Sequence, residues 1–301
     1  VDENVFSYTL GAGGIETGSK GVITLNINRI VQNWYKEKES TKESLDVYIG
    51  KIVDRVHCYL QAWNHKLWDD YNADILTVYK AGFIHLDKQF LTIGVGGYIE
   101  GAEFLGIPID YNNESYKQYA KDILGTIKHK NTKARTKQCR YNTEMVPGEN
   151  LALKLYNWDK KDGYWVPEGR NLYNSYFYVV EDPTIDPVKK FYYQGKGFAT
   201  ECDGGVALHN NLSEHLSKKQ YRMLMDIAVD AGCNYFTFNI PSTCCEDCGY
   251  VSKHNLDHCE KCGSTNISKA TRIIGYLKKV ASWSEGRQIE FKNRYFGELN
   301  D

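Results

Sequence analysis

The sequence contains no apolar run long enough to cross a bilayer and no recognisable signal peptide, so a cytoplasmic protein is expected. An excess of charge of one sign is also missing. Its 37 Lys and Arg nearly balance 38 Asp and Glu, for a net charge of −1. That excludes a global pull toward nucleic acid or an anionic membrane. No internal repeat and no low-complexity segment stand out, which excludes solenoids and long linkers. What is present is ordinary for a globular chain: 42% hydrophobic and 25% charged residues over 301 positions, enough for a large core or two domains. Nine cysteines without a secretory signal point to a reducing compartment and to metal or redox roles ahead of disulfides. The 23 tyrosines suggest no particular chemistry.

Local patterns give an alternation of strands and helices. Gly21–Ile27 reads as a strand apolar on both faces, which suits burial. Ser40 with Glu43 reads as a capping box. The helix it opens carries Leu45, Ile49, Ile52, Val56, Leu60, Trp63 and Leu67 on one face, with Cys58 expected as a packed thiol. Phe90–Gly94 reads as a strand leading into a helix over Tyr98–Leu105. Helices are also expected over Asn113–Ile127 and Glu149–Trp158, and a strand over Arg140–Val146. The basic stretch Lys128–Arg140 reads as a solvated loop. Gly204–His209 reads as a strand. Ser217 with Gln220 makes a second capping box, and that helix stops at Gly232. A strand over Asn234–Ile240 and a last helix over Ser284–Phe296 complete the pattern, which favours an α/β architecture with mostly parallel strands.

The strongest local signal is a pair of Cys-x-x-Cys-Gly units, Cys245-Glu-Asp-Cys248-Gly249 and Cys259-Glu-Lys-Cys262-Gly263. A Cys-x-x-Cys turn sets two thiolates on one side of an ion, and the following glycine takes a left-handed backbone without steric cost. Two such units match a zinc ribbon, with Cys245, Cys248, Cys259 and Cys262 as ligands of a structural Zn2+ that leave no open coordination position. His254 and His258 are rival ligands, but the paired spacing favours four cysteines. Cys244 is left over. Four free or disulfide-bonded cysteines are the weaker reading. Little basic charge surrounds the module, which weakens a nucleic-acid role.

Gly275, in Thr271-Arg-Ile-Ile-Gly275-Tyr-Leu277, reads by itself as a turn glycine. Its context adds to that. Gly204-Gly205, Leu216-Ser-Lys-Lys-Gln-Tyr221, Asn234-Tyr-Phe-Thr-Phe-Asn239, the four cysteines and Arg272-Ile-Ile-Gly275-Tyr-Leu277 follow one another in order. Together they resemble the C-terminal part of the anaerobic (class III) ribonucleoside-triphosphate reductases, a glycyl-radical family. Gly18–Arg29 resembles that family's barrel strand after its active-site loop. Thr92–Glu100 resembles its Gly-x-Asn-Gly-x-x-Glu segment, with Gly96 in place of the Asn. Asn142–Glu149 resembles its Asn-x-Glu-x-x-Pro-x-Glu segment.

The resemblance implies part of a ten-stranded α/β barrel over residues 1–240, a zinc-ribbon module over 241–268, and a radical loop with a C-terminal helix over 269–301. It implies a glycyl radical on Gly275, installed by an iron–sulfur activating enzyme that uses S-adenosylmethionine. It further implies a ribonucleoside triphosphate substrate, formate or a small redox protein as reductant, and a homodimeric full enzyme. Glu144, near a strand end, is a candidate base or hydroxyl ligand. Glu149 is explained equally well by an ion pair or a helix cap, and His209 by core packing. One departure is serious. The family relays its radical to a cysteine shortly before the strand at Gly21, yet no cysteine precedes Cys58. Cys139, Cys202 and Cys233 read better as structural thiols than as that relay. With an opening Val1 and no methionine, the sequence is expected to be the C-terminal half of such an enzyme, its relay cysteine and regulatory sites supplied by an N-terminal half. Three rivals remain: another glycyl-radical enzyme, which would lack the zinc ribbon, a non-catalytic zinc-ribbon scaffold in which Gly275 is only a turn, and an inert remnant without its other half.

Overall fold

The computed structural model describes residues 17–145, 149–233, 235–272 and 277–297. Its core is a sheet of parallel strands. Strand β1 (Ser19–Asn26) pairs with β2 (Phe90–Gly96), and β2 pairs with β3 (Arg140–Met145), all parallel. A single parallel bridge from Glu144 to Gly205 continues the sheet toward β4 (Leu208–Asn211), which pairs in parallel with β5 (Phe236–Asn239). Parallel neighbours require crossovers, and helices supply them. Helix α1 (Ile27–Thr41) and helix α2 (Leu45–Asn72) connect β1 to β2. Helical turns over residues 98–134 connect β2 to β3, passing through a π turn at Lys121–Gly125. The expected helix from Asn113 is there, capped by the Asn113 side chain on Tyr116 N.

Alternation along each strand sorts the side chains onto two faces. Tyr141 meets the His57 ring of α2, and Thr143 accepts a hydrogen bond from Asn131, so these residues face the helices. Leu25, Leu91, Ile93 and Val95 join them in the main core. Asn142 and Glu144 therefore project from the opposite face, where the Thr92 hydroxyl donates to Asn142 Oδ1 at 2.7 Å. Gly204 lies against this ladder so closely that a Cβ would stand 2.7 Å from Thr143 O. Only glycine allows the chain to approach there.

Several sequence expectations change. Ser40 caps nothing: α1 runs on to Thr41, breaks at Lys42 in a left-handed conformation, and α2 starts after Ser44. Along α2 the buried face is Leu45, Ile49, Val53, Val56, His57, Leu60 and Asn64. Trp63 is half exposed, and Cys58 is on the open side of the helix. The thiol expected inside is outside because Asn64, not Trp63, turns inward, where its amide reaches Gln138 O and the Cys139 sulfur. Strand β1 is less buried than its composition implies, with Val22 50% exposed. The basic stretch after Lys128 begins on a helix, Thr126–Ala134, and its cations pair with Glu201, Asp54 and Asp203.

The last helix, Glu285–Asn293, is anchored by a buried charge triad that the sequence did not announce. Arg287 Nη1 donates to Glu290 at 2.6 Å, and Arg294 Nη2 donates to its other oxygen at 2.6 Å. Burial alone would raise the Glu290 pKa, but Arg294 and Arg287 outweigh it and hold the group at about 2. That value lies below the ordinary 4.5, so the pair's contribution is complete above pH 4.5 and fades as pH falls toward 2. Glu290→Gln should remove the carboxylate that both buried guanidiniums share and cost about 3–5 kcal/mol. Denaturant unfolding at neutral pH measures this, and the deficit should shrink on acidification.

Candidate functional site

Four cysteines from two turns converge at one end of the molecule. Strand β6 (Ser242–Cys245) runs antiparallel to both β7 (Val251–Ser252) and β8 (Ile267–Arg272). Cys245 is the last residue of β6, and Cys248 follows one turn later. Cys259 and Cys262 form the matching turn. Each turn closes the same way: Gly249 N donates to Cys245 O at 3.1 Å, and Gly263 N donates to Cys259 O at 2.8 Å. Both glycines hold positive φ, 70° and 73°, which explains why glycine follows each second cysteine. The four sulfurs all lie within 4.8 Å of one another. The Cys245–Cys262 and Cys248–Cys259 sulfurs are each 3.6 Å apart. Disulfides, at about 2.05 Å, are excluded at that separation. A tetrahedron with Zn–S bonds of about 2.3 Å has sulfurs about 3.8 Å apart, so the donor set fits zinc in both chemistry and spacing. His254 and His258 are not part of the cluster. Cys244 is buried within β6, between Val251 and Ser268 of the neighbouring strands.

The same small sheet carries the stem of the glycine segment. Strand β8 pairs antiparallel with β9 (Leu277–Lys279), with Arg272 opposite Leu277. The residues between them, 273–276, include Gly275 and lie outside the described residues. The stem is tied to the first cysteine turn from both strands. Lys279 Nζ, just past the segment, reaches both carboxylate oxygens of Glu246 at 2.8 and 2.9 Å. Ser268, just before it, also donates to Glu246.

Glu144 sits at the end of β3, 8% exposed, on the sheet face turned from the helices. His209 and Asn211 lie on the face of β4 opposite Asn210, which hydrogen-bonds Pro187 O on the helix side. Met145, Ser175, Tyr176, His209 and Arg287 line a narrow cavity beside the ends of β3 and β4. His209 is therefore buried but borders this cavity, and Arg287 is a second polar residue there that sequence reasoning missed. Its signal was the spacing of Arg287, Glu290 and Arg294 at three and four residues, which brings their charges together on one helix face. Cys139 faces α2, on the helix side of the sheet. Cys202 is fully buried in the main core, where burial and then Asp203, Glu201 and Glu144 push its thiol pKa up. Neither it nor the buried Cys233 resembles an activated thiol. Glu149 begins the helix Glu149–Lys161.

Comparisons with known proteins agree with this architecture. A family model for anaerobic ribonucleoside-triphosphate reductase matches residues 3–296. A solved anaerobic ribonucleotide reductase superposes with a TM-score of 0.82 and 27% identity, over 97% of this chain and 47% of that one. The Thermotoga maritima anaerobic ribonucleotide reductase, crystallised with dATP and CTP, gives a TM-score of 0.79 and 26% identity over 94% of this chain and 46% of that one. The same enzyme with glycerol in its active site gives 0.78 and 26%, again over 94% and 46%. No curated protein matches the chain. The chain thus spans about half the length of these solved structures. The likeness defines an α/β protein of the ribonucleotide reductase type. Within that class, the chain belongs to the anaerobic ribonucleoside-triphosphate reductase family, whose chemistry runs through a glycyl radical. Among the described residues, no helix is long and apolar enough to cross a membrane.

Proposed function

We propose that this chain supplies the glycyl-radical half of an anaerobic ribonucleoside-triphosphate reductase. The observation that carries the reading is the continuity of one small sheet. Strand β6 holds Cys245, β8 pairs with β6, and β8 and β9 flank Gly275 on either side. A four-thiolate site bound to Zn2+ through Cys245, Cys248, Cys259 and Cys262 closes the base of this sheet. Its role is structural, since four thiolates leave the ion no open position. The competing scaffold reading accounts for the cysteines but not for the strand pair built around Gly275.

On this reading the parallel strands β1 to β5 are part of a ten-stranded barrel, completed by an N-terminal half. Residues 1–240 then form the barrel portion, 241–268 the zinc module, and 269–301 the radical segment and its helix. An activating enzyme with an iron–sulfur cluster and S-adenosylmethionine removes the Gly275 α-hydrogen. Amide and carbonyl delocalise the unpaired electron. The glycyl radical oxidises a cysteine of the other half, and that thiyl takes the ribose 3′-hydrogen of a ribonucleoside triphosphate. The 2′-hydroxyl leaves as water, and formate or a small redox protein supplies the electrons. The complete enzyme is a cytoplasmic homodimer.

Glu144 faces the sheet side that would become the barrel interior and is placed to accept a proton or a hydroxyl hydrogen bond from the ribose. Glu144→Gln keeps the shape and removes the base, so kcat of the reconstituted enzyme should fall by about 10²-fold or more while the Gly275 radical still forms. A turnover assay with radical quantitation tests this. Unchanged kcat would remove Glu144 from the chemistry.

A further inference from the structure

The four sulfurs of the cysteine cluster are not equivalent. Cys245 and Cys259 are buried, 4% and 3% exposed, whereas Cys248 and Cys262 are open to solvent. The close contacts cross between the two turns and pair one sulfur of each kind. Cys262 lies 3.6 Å from Cys245, and Cys248 lies 3.6 Å from Cys259. Each sulfur that solvent reaches therefore has a shielded sulfur of the other turn behind it.

Exposure and partnership decide what an oxidant does to a cysteine. A thiolate attacked by a peroxide becomes a sulfenic acid. A second sulfur within reach converts that acid to a disulfide, and without one it oxidises further. The remaining cysteines lack one condition or the other. Cys139, Cys202, Cys233 and Cys244 are buried, and Cys58 is exposed but lies outside the cluster. Metal binding holds cluster sulfurs as thiolates, the form that reacts.

We propose, resting on the zinc reading above, that Cys248 and Cys262 are peroxide-reactive sites, each resolved by its buried neighbour, and that their oxidation releases the metal reversibly. The Cys262 thiolate attacks the O–O bond of hydrogen peroxide, gains one oxygen as a sulfenic acid and expels hydroxide. The Cys245 thiolate then displaces a second hydroxide from that sulfur and closes the disulfide. Two electrons pass from the pair of thiolates to one peroxide, which ends as two hydroxide ions. The same exchange begun at Cys248 closes on Cys259. Zinc, without its thiolates, leaves as Zn2+.

The change is felt at the glycine segment. Disulfide sulfurs stand about 2.05 Å apart, so each pair has roughly 1.5 Å to close. Glu246, the residue after Cys245, holds Ser268 and Lys279 on the two strands that flank Gly275. Closing the disulfides and losing the metal both displace the turn that carries Glu246. An oxidant arriving at this face thus unlatches the stem without touching Gly275 itself.

The test uses this chain alone, loaded with zinc and never activated, so it is independent of the radical chemistry. Zinc content is measured first, and a chain that binds none would remove the metal assignment and this inference with it. The variant Cys58→Ser, which lacks the exposed thiol outside the cluster, is then treated with hydrogen peroxide under argon beside a chromogenic zinc chelator. The expected result is release of all the bound zinc, with four free thiols lost from the denatured chain. Peptide mapping should join Cys245 to Cys262 and Cys248 to Cys259, and dithiothreitol with added Zn2+ should restore thiols and metal together. Zinc retained at peroxide concentrations that oxidise Cys58 in the unsubstituted chain would overturn the inference. Zinc lost with sulfinic or sulfonic acids that dithiothreitol does not reverse would overturn it as well, showing damage without resolution. Disulfides formed within a turn, Cys245 to Cys248 or Cys259 to Cys262, would contradict the role given to the buried sulfurs.

Discussion

Replacing Gly275 with alanine is expected to abolish both the radical and the reductase activity of the reconstituted enzyme, with zinc retained in full. A glycyl radical needs a planar Cα conjugated with the amides on both sides, and a methyl group crowds that plane and the approach of the activating enzyme. The flanking strands carry the zinc-bearing sheet: β8 pairs with β6 through Ser242, Thr243, Cys244 and Cys245. Those pairings do not involve Gly275, so metal content and folding should be untouched. Turnover, metal analysis and circular dichroism on one preparation separate the outcomes. Retained activity would remove the radical assignment. Joint loss of zinc and activity would mean that the alanine had disrupted the sheet instead.

Replacing Cys248 with serine should act in the reverse order, removing the metal first and the radical as a consequence. Cys248 is one of the exposed sulfurs, so the change leaves no core cavity and its effect reports on the metal. Structural zinc contributes about 10 kcal/mol or more to small modules of this kind, because the thiolates otherwise repel one another and the turns lose their common anchor. Without the metal, the turn bearing Glu246 is released, and with it the contacts from Ser268 and Lys279 that hold the stem of the glycine segment. The expected result is loss of zinc by atomic emission and loss of most radical yield, while the parallel sheet remains folded. Full radical yield in a zinc-free variant would show that the segment is held by other means.

Much of this was legible in the sequence, and the failures have physical causes. The four cysteines and their glycines were readable because metal geometry fixes both spacing and backbone. The box of Ser217 and Gln220 was readable because the cap and the helix it opens are local. Ser40 and Glu43 carry the same signature, but α1 runs through Ser40 to Thr41, Lys42 takes the left-handed break, and α2 starts only after Ser44. On α2, hydrophobic periodicity chose Trp63 over Asn64. The structure buries the asparagine because its partners are Gln138 and Cys139, some seventy-five residues away. His57, bonded to Asn131, was missed for the same reason. Long-range polar pairing leaves no periodic trace. The triad of Arg287, Glu290 and Arg294 had the right spacing to be seen, yet spacing alone does not reveal that a charged helix face is buried.

The most direct test of the central claim is anaerobic EPR. The chain is combined with its presumed N-terminal half, the activating enzyme, S-adenosylmethionine and a reductant, with Gly275→Ala alongside. The account predicts a doublet from the α-hydrogen coupling of a glycyl radical in the wild-type chain and none in the variant. A folded, zinc-loaded complex that gives no signal, or the same signal from both proteins, would contradict it.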